Sequence, residues 1–460
     1  MRALKALNIV LNVGTFFLFW CATYTVEFRY DAFSLSSVMM CISYSVILLL
    51  LYRVYHAVLV GSYRVSQLVF SQFLSTLIAG GMIYCVICAL WHEFVNPIPV
   101  LDTVLIQLGL NALWSITTNR LFFHIYQPKP TAIIYRSRED LEKLEEINFF
   151  SSHFNVIREI EAPEDIHRLM DDLIDCQPVF VTGIPATFRN GIVKHCIDSN
   201  KLVYVVPHVG DVILAGARPV QMFSVPVMMA SRANPIPEYT FVKRLMDVVF
   251  SLLAIIVLCP IMLVVAAMIK AYDGGPVFYR QTRLTQNGRE FKILKFRSMR
   301  TDAEKDGVAR LAKEKDDRIT PVGRMIRAIR FDELPQLFNI LKGDMTIVGP
   351  RPERPEIAAQ YEELMPAFSL RLQVKAGLTG YAQVYGRYNT EPSDKLKMDL
   401  IYINRMSLIE DAMLILATIK ILFVRESTAG VKEERILAGL PPIVVPKREL
   451  VNADLSVPRK

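Results

Sequence analysis

The second half of this 460-residue chain contains no histidine, and no cysteine follows Cys259. Chemistry there must rest on carboxylate, hydroxyl, lysine or arginine groups. Ser-His-Asp and Cys-His mechanisms and His-bearing zinc sites are excluded from it. Charge is also scarce: Asp, Glu, Lys and Arg make up 21% of residues against 52% hydrophobic, and mean hydropathy is +0.31. That balance excludes a disordered chain, a disulfide-stapled secreted module and an ordinary soluble enzyme. Cys85 and Cys88 form a CxxC inside an apolar run with no second ligand pair, so they read as small core residues. Net charge is +7, but the basic residues flank apolar segments or sit in short motifs. This suits a membrane face and an anionic substrate, not nucleic acid.

Four apolar stretches come first, over residues 7–25, 36–52, 67–90 and 98–118. Each approaches the ~20 residues that a helix needs to cross a bilayer. Arg2, Lys5, Arg53, Arg64, Arg120 and Lys129 lie on one side of this bundle, which places both its ends in the cytoplasm. The spans hold no central pair of ionisable residues, which argues against a transporter. From Thr131 short β-like runs alternate with helical ones: strands at Ala132–Tyr135, Val156–Glu159, Val179–Thr182 and Leu202–Val206, helices at 139–146, 165–173 and 190–198. This predicts a small parallel Rossmann-like α/β domain. The first strand runs into Arg136-Ser137-Arg138 with no GxGxxG after it, so no NAD is expected.

A fifth apolar run covers 245–269, with Pro260 near its middle and basic residues at both ends. Proline removes a helix hydrogen bond, and the flanking charge favours two ends on the same side. The expectation is a re-entrant hairpin broken at Cys259-Pro260. Beyond it, Asp332-Glu333-Leu334-Pro335 opens an apolar-periodic run, with Pro335 suited to a first helical turn. Arg324, Arg327 and Arg330 precede the two carboxylates. Lys295-Phe296-Arg297 lies upstream, Gly349-Pro350-Arg351-Pro352 downstream, then Gly377-Leu378-Thr379-Gly380 and Gln383…Gly386-Arg387. Carboxylates among many cations, without histidine, suggest phosphoryl chemistry with a carboxylate nucleophile and a metal.

These strings carry a resemblance. KRLMD at 243–247, GGPVFYRQTRLTQNGREFKILKFRSM at 274–299, RFDELPQLFNILKGDMTIVGPRPE at 330–353 and GLTGYAQVYGR at 377–387 resemble the bacterial sugar transferase family. Its members are monotopic phosphoglycosyl transferases, or polyprenyl-phosphate hexose-1-phosphate transferases. The likeness is closest over 239–429. The family's long form adds four N-terminal spans and a degenerate Rossmann-like domain. The resemblance implies transfer of sugar 1-phosphate from a nucleoside-diphosphate sugar, here a UDP-hexose, to undecaprenyl phosphate. UMP is released, in the initiating step of exopolysaccharide, capsule or O-antigen synthesis. Asp332 matches the nucleophile of a covalent aspartyl-phosphosugar, and Glu333 its partner associated with Mg²⁺. Lys295, Arg351 and Asp399 match positions near the phosphates or metal, Asp399 as a second metal ligand beside Glu333. Arg297, Gln383 and Arg387 join the substrate-binding set. Lys243, Arg244 and Asp247 match the motif at the mouth of the re-entrant helix, as membrane-edge anchors or lipid-phosphate contacts. Ala376-Gly377 and Tyr385 depart from the family's usual Pro-Gly and Asn/Ser, which leaves the donor open.

The expected organisation is a four-span bundle at 1–128, a Rossmann-like domain at 129–236, a catalytic domain at 237–445 and a polar tail at 446–460. A bacterial inner-membrane location with the catalytic part on the cytoplasmic face follows, and a homodimer is a further expectation. Two rivals remain. A membrane-anchored nucleotide-sugar epimerase or dehydratase would need a glycine fingerprint and a Tyr-x-x-x-Lys pair; Tyr239 and Lys243 share that spacing by chance, at the membrane edge and without the glycine loop. A non-catalytic scaffold of a polysaccharide assembly complex would not need an intact Asp332-Glu333.

Overall fold

The computed structural model describes residues 1–25, 31, 33–145, 150–161, 169, 173–222, 224–301, 316–386 and 390–422. The chain forms two compact units, the first running from Met1 to Pro207 and the second beginning at His208. The tail at 446–460 lies outside the described residues, as does most of the helix expected at 165–173.

The first unit opens with four helices: α1 (Arg2–Phe19, continued by a π-helical turn Trp20–Tyr24), α2 (Leu35–Val54), α3 (Val65–Trp91) and α4 (Ile98–Ile125). All are long and apolar enough to cross a membrane. Their residues are arranged inside out relative to a water-soluble bundle. Val10, Leu18, Leu50, Leu90, Leu105 and Leu113 face outward. Asn8, Asn12, Gln72, Gln107 and Asn111 are fully buried. Lipid rewards the first placement, and the second leaves each amide a partner among the other helices. Asn8 and Asn12 donate to Asn111 Oδ1 at 3.0 and 2.9 Å, Tyr52 donates to Asn8 Oδ1 at 2.9 Å, and Gln107 donates to the Asn12 carbonyl at 2.8 Å. Asn8 and Asn12, like Gln107 and Asn111, are four apart and so share a helix face. Gly80 permits close packing of α3 on α4, since a Cβ there would lie 3.2 Å from Val100 Cγ1. This is a membrane protein.

A four-stranded parallel sheet follows, ordered β2-β1-β3-β4, from β1 (Lys129–Tyr135), β2 (Phe154–Glu161), β3 (Val179–Val181) and β4 (Val203–Val205). Helices α5 (Arg138–Glu145) and α6 (Ala186–Asp198) belong to the crossovers. The hydrophobic runs of β1 and β3 are buried on both faces, as a parallel sheet demands.

The second unit begins with α7 (Val209–Ala215) and the hairpin β5 (Arg218–Met222) and β6 (Val225–Met229). Helix α8 (Pro237–Asp273) comes next. It starts on Pro237 and stops at Gly274, which takes φ +69°. The remainder comprises an antiparallel pair β7 (Phe278–Leu284) and β8 (Glu290–Phe296), α9 (Pro321–Ala328), α10 (Gln336–Lys342), β9 (Thr346–Val348), α11 (Pro355–Leu364), β10 (Gly377–Thr379), α12 (Tyr381–Tyr385), α13 (Pro392–Arg405) and α14 (Leu408–Leu422). Strands β9 and β10 pair in parallel.

Helix α8 is 37 residues long and helical through Cys259-Pro260, where the sequence predicts a break. Proline there forfeits one backbone bond and does not interrupt the helical assignment. One face of α8 is in contact with its own unit along most of its length. Arg244 donates to the Ile340 and Leu341 carbonyls, Asp247 accepts from Thr346 Oγ1 and the Ile347 amide, and Ala254 and Ile255 pack near Leu337. Met262, Val265 and Ile269 pack with Phe296 and Ile326, and Asp273 pairs with Arg297. The opposite face leaves Leu245, Leu252, Leu253, Ile256, Val257 and Leu263 exposed.

The interior amides of the first unit generate a stability test. Asn111→Leu strips the acceptor from Asn8 and Asn12. It should cost about 1–2 kcal/mol in nanodisc-reconstituted protein, read by thermal unfolding. The outward Leu113→Ala should change little; equal losses would mean that the amides contribute no specific stability.

Candidate active site

After α9 the chain reverses at Arg330, which takes φ +56°. A non-glycine residue there costs about 1–2 kcal/mol and is held only by surrounding structure. The reversal feeds a 3₁₀ turn, Phe331–Glu333, closed by Glu333 N–H to the Arg330 carbonyl at 3.2 Å. Phe331 and Leu334 are anchored in the apolar cluster that α8 shares with α9. Pro335 then caps α10. The two carboxylates therefore sit one turn before the helix that the sequence predicts them to open.

Glu333 Oε1 accepts from Lys295 Nζ at 3.0 Å and from Arg351 Nη2 at 2.8 Å. Strand β8 supplies the lysine, and the loop after β9 supplies the arginine. Burial by itself would raise the Glu333 carboxyl, but Arg351, Lys295 and Arg330 outweigh it and hold it well below the usual carboxylate range. Asp332 moves the other way. Burial, reinforced by the Glu333 charge, lifts its carboxyl to about 6 against the pull of Lys295, Arg327 and Arg351. Burial also pulls the Lys295 ammonium down, and Glu333 opposes that fall. Neighbouring carboxylates with opposed shifts are the usual signature of divided roles.

The loop bearing Arg351 is supported from beneath. Arg371 is buried and donates to the Arg351 carbonyl at 2.9 Å, and Arg283 donates to the Pro352 carbonyl at 3.2 Å. Arg371 is ion-paired with Asp399 at 2.7 Å and with Glu353 at 3.5 Å. Burial raises the Asp399 carboxyl to about 6 even with Arg371 beside it. Two motifs that are distant in sequence meet here. A Cβ at Gly377 would stand 2.1 Å from the Gly349 nitrogen, and one at Gly380 2.1 Å from its oxygen. Only glycine at 377 and 380 lets the β10 loop lie against the backbone that leads to Arg351.

The structure thus brings Lys295, Asp332, Glu333 and Arg351 together. Asp399 is 1% exposed and sits behind the Arg351 loop with Arg371, a partner the sequence does not predict. Gln383, midway along α12, donates to the Leu378 carbonyl at 3.0 Å. Arg297 is buried against Asp273 at the far end of α8, where a Cβ on Gly275 would strike its guanidinium. Lys243 pairs with Asp411 at 2.6 Å, and Tyr239 donates to the same carboxylate at 2.9 Å. With Arg244 and Asp247, Lys243 therefore joins α8 to α10, β9 and α14. Arg387 lies outside the described residues. Arg371 and the Tyr402–Asp411 pair carry no motif of their own, and Asn339 lies inside the 330–353 string without a sign of its role; only their burial in contact with other motif residues marks them.

A model of the family described as bacterial sugar transferase matches residues 238–425. The chain is 41% identical over 189 residues to the UDP-N-acetylgalactosamine-undecaprenyl-phosphate N-acetylgalactosaminephosphotransferase of Aeromonas hydrophila, covering 40% of this chain and 44% of that one. It is 36% identical over 242 residues to the UDP-glucose:undecaprenyl-phosphate glucose-1-phosphate transferase of Klebsiella pneumoniae, covering 51% and 52%. It is 40% identical over 199 residues to the exopolysaccharide production protein PSS of Rhizobium leguminosarum bv. phaseoli, covering 41% and 96%. The match spans about half the length of the first two relatives.

Arg371→Met leaves Asp399 buried without its cation and should cost about 3–5 kcal/mol. Adding Asp399→Leu should recover most of that loss in thermal unfolding. A double variant no more stable than the single one would show that the pair does not act as a unit.

Proposed function

We propose that this chain, which belongs to the bacterial sugar transferase family, transfers a sugar 1-phosphate from a UDP-hexose to undecaprenyl phosphate. The products are undecaprenyl-diphosphate-sugar and UMP, at the initiating step of exopolysaccharide, capsule or O-antigen synthesis. The observation that carries the reading is the pairing of Asp332, lifted to about 6, with Glu333, kept ionised by Lys295 and Arg351. The first two relatives named above act on UDP-sugars and undecaprenyl phosphate by their own names.

In the first displacement an Asp332 carboxylate oxygen attacks the phosphorus that bears the sugar. An Oδ–P bond forms, the bridging P–O bond breaks, and its electron pair leaves with UMP. In the second, a phosphate oxygen of undecaprenyl phosphate attacks the same phosphorus and returns the carboxylate of Asp332. Splitting one transfer into two predicts ping-pong kinetics. Arg351 and Lys295 stabilise the charge that develops on the transferred phosphoryl group, in a partly buried site where fixed cations act strongly. They also hold Glu333 in place.

Mg²⁺ binds through one or two carboxylates plus substrate phosphates. Among the described residues no group of three His, Cys, Asp or Glu gathers, and Glu333 fits that sparse pattern. It would hold the ion, which would offset diphosphate charge. Asp399, enclosed against Arg371, offers a hydrated ion no open face.

The four N-terminal helices span the bacterial inner membrane, with their Lys/Arg-rich ends and the catalytic part on the cytoplasmic face. Both ends of helix α8 stay on that face, with its exposed apolar side in the membrane. Its contacts with α10, β8 and α9 support this, because a plain span would have to pull those polar elements through the bilayer. A water-soluble donor and a lipid-borne acceptor then meet at one boundary.

The deciding assay is UMP release in nanodiscs from a panel of UDP-sugars with undecaprenyl phosphate and Mg²⁺. Donor alone should leave a sugar-phosphate adduct on Asp332, seen by peptide mapping, and Asp332→Asn should abolish adduct and turnover. Full turnover by that variant would sink the covalent scheme, and no release with any donor would favour a scaffold. The attacking form is the ionised one, so activity is present above pH 6 and lost below it. Donor kcat/KM should fall about tenfold per pH unit on the acid side of a limb near 6. A cysteine placed after Lys270 should resist an external impermeant reagent; labelling would mean a fifth span.

A further inference from the structure

Strand β8 has β7 on one edge and, among the described residues, no strand on the other. An unpaired strand edge leaves backbone donors and acceptors to be satisfied elsewhere. On β8 one side chain does this at Lys292 and Leu294. Asn339, buried on α10, accepts from the Leu294 amide through Oδ1 at 2.9 Å and donates from Nδ2 to the Lys292 carbonyl at 2.9 Å. A carbonyl at one residue and an amide two residues on point to the same edge of a strand. The carboxamide therefore copies one rung of a β-ladder.

Its position matters more than its geometry. Leu294 is followed by Lys295, whose ammonium holds Glu333. Helix α10 follows the turn that carries Asp332 and Glu333 and is capped by Pro335. The lysine and the carboxylates reach the site on separate elements, and the Asn339 amide is a direct polar tie between them. The helix is braced at its other end, where Arg244 caps the Ile340 and Leu341 carbonyls. A slide of β8 along α10 would therefore move Lys295 relative to a fixed Glu333.

We infer that Asn339 is a positioning residue for the phosphoryl transfer, setting the Lys295–Glu333 distance by clamping the β8 backbone to α10. The inference rests on the reaction proposed above. The consequence is a loss in the chemical step, not in donor binding, because misplacing a catalytic group by a fraction of an ångström acts on orientation.

The test uses the full chain in nanodiscs. Asn339→Leu keeps the branching and heavy-atom count and removes both bonds; Asn339→Asp keeps the acceptor for the Leu294 amide and removes the donor. In Asn339→Leu, kcat should fall about a hundredfold with donor KM within about twofold of the parent, and Asn339→Asp should fall in between. Hydrogen exchange of the peptide containing Leu294 should speed up in the leucine variant and stay near native in the aspartate variant. On a Lys295→Met background, followed by single-turnover UMP release, Asn339→Leu should change the rate less than about twofold. Unchanged kcat, a loss confined to KM, or an undiminished effect on the Lys295→Met background would overturn the proposal. If the leucine variant does not fold, the aspartate variant decides, since a lower kcat at native thermal stability supports the clamp and a native kcat overturns it. A parent protein that releases no UMP from any donor counts against the reaction itself, and the exchange measurement still decides whether the clamp exists.

Discussion

An ionised carboxylate withdrawn from water must be paired, and Glu333 is the residue on which that requirement falls hardest. Its two cations come from β8 and from the loop after β9, and neither element adjoins it in sequence. Removing either would leave a part-buried charge short of compensation, a cost of several kcal/mol in sites of this kind. The positions of Lys295 and Arg351 are therefore dictated together with that of Glu333. Much of the second unit can be read as the apparatus that holds those three in register. Asn339 fixes the strand, Arg371 and Arg283 fix the loop, and Phe331 and Leu334 fix the turn.

The same pairing divides labour between neighbours. Glu333 absorbs the positive field, so Asp332 feels its negative charge as well as burial and rises to about 6. It is ionised at neutral pH yet less stabilised as an anion than an exposed aspartate, which suits a nucleophile. The membrane helix enters this arrangement through α10. Arg244 closes the end of α10, while Asp247 binds the start of β9. The long apolar helix is thus hydrogen-bonded directly to the helix that follows the carboxylate turn.

Much was legible in advance. The four apolar stretches became α1 to α4 with longer ends, because hydropathy windows see the lipid-facing core of a helix and not its polar first and last turns. The alternating runs of the Rossmann-like part became a parallel sheet in the expected chain order. The cations at 295 and 351 meet on the Glu333 carboxylate. Other residues were misplaced for one common reason. Lys243 and Arg244 look like membrane-edge cations in a linear string, yet Asp411 and two helix-end carbonyls take them inward. Arg297 lies two residues from Lys295, but β8 ends between them, and Asp273 claims it. A motif tells which side chains are needed, not which neighbour each will find.

The sequence by itself narrowed the class of chemistry, because a region without histidine or late cysteine leaves carboxylates, hydroxyls and cations to act. It also determined the membrane character, since burying such apolar stretches in water-soluble cores was never open to a chain this poor in charge. Only the tertiary structure decided which residues support the site. Partners such as Arg371 and Asp399, Asn339 and Leu294, or Gly377 and Gly349 lie 28 to 45 residues apart. Their contacts exist because packing brings separate elements within hydrogen-bond reach, and no local pattern encodes that.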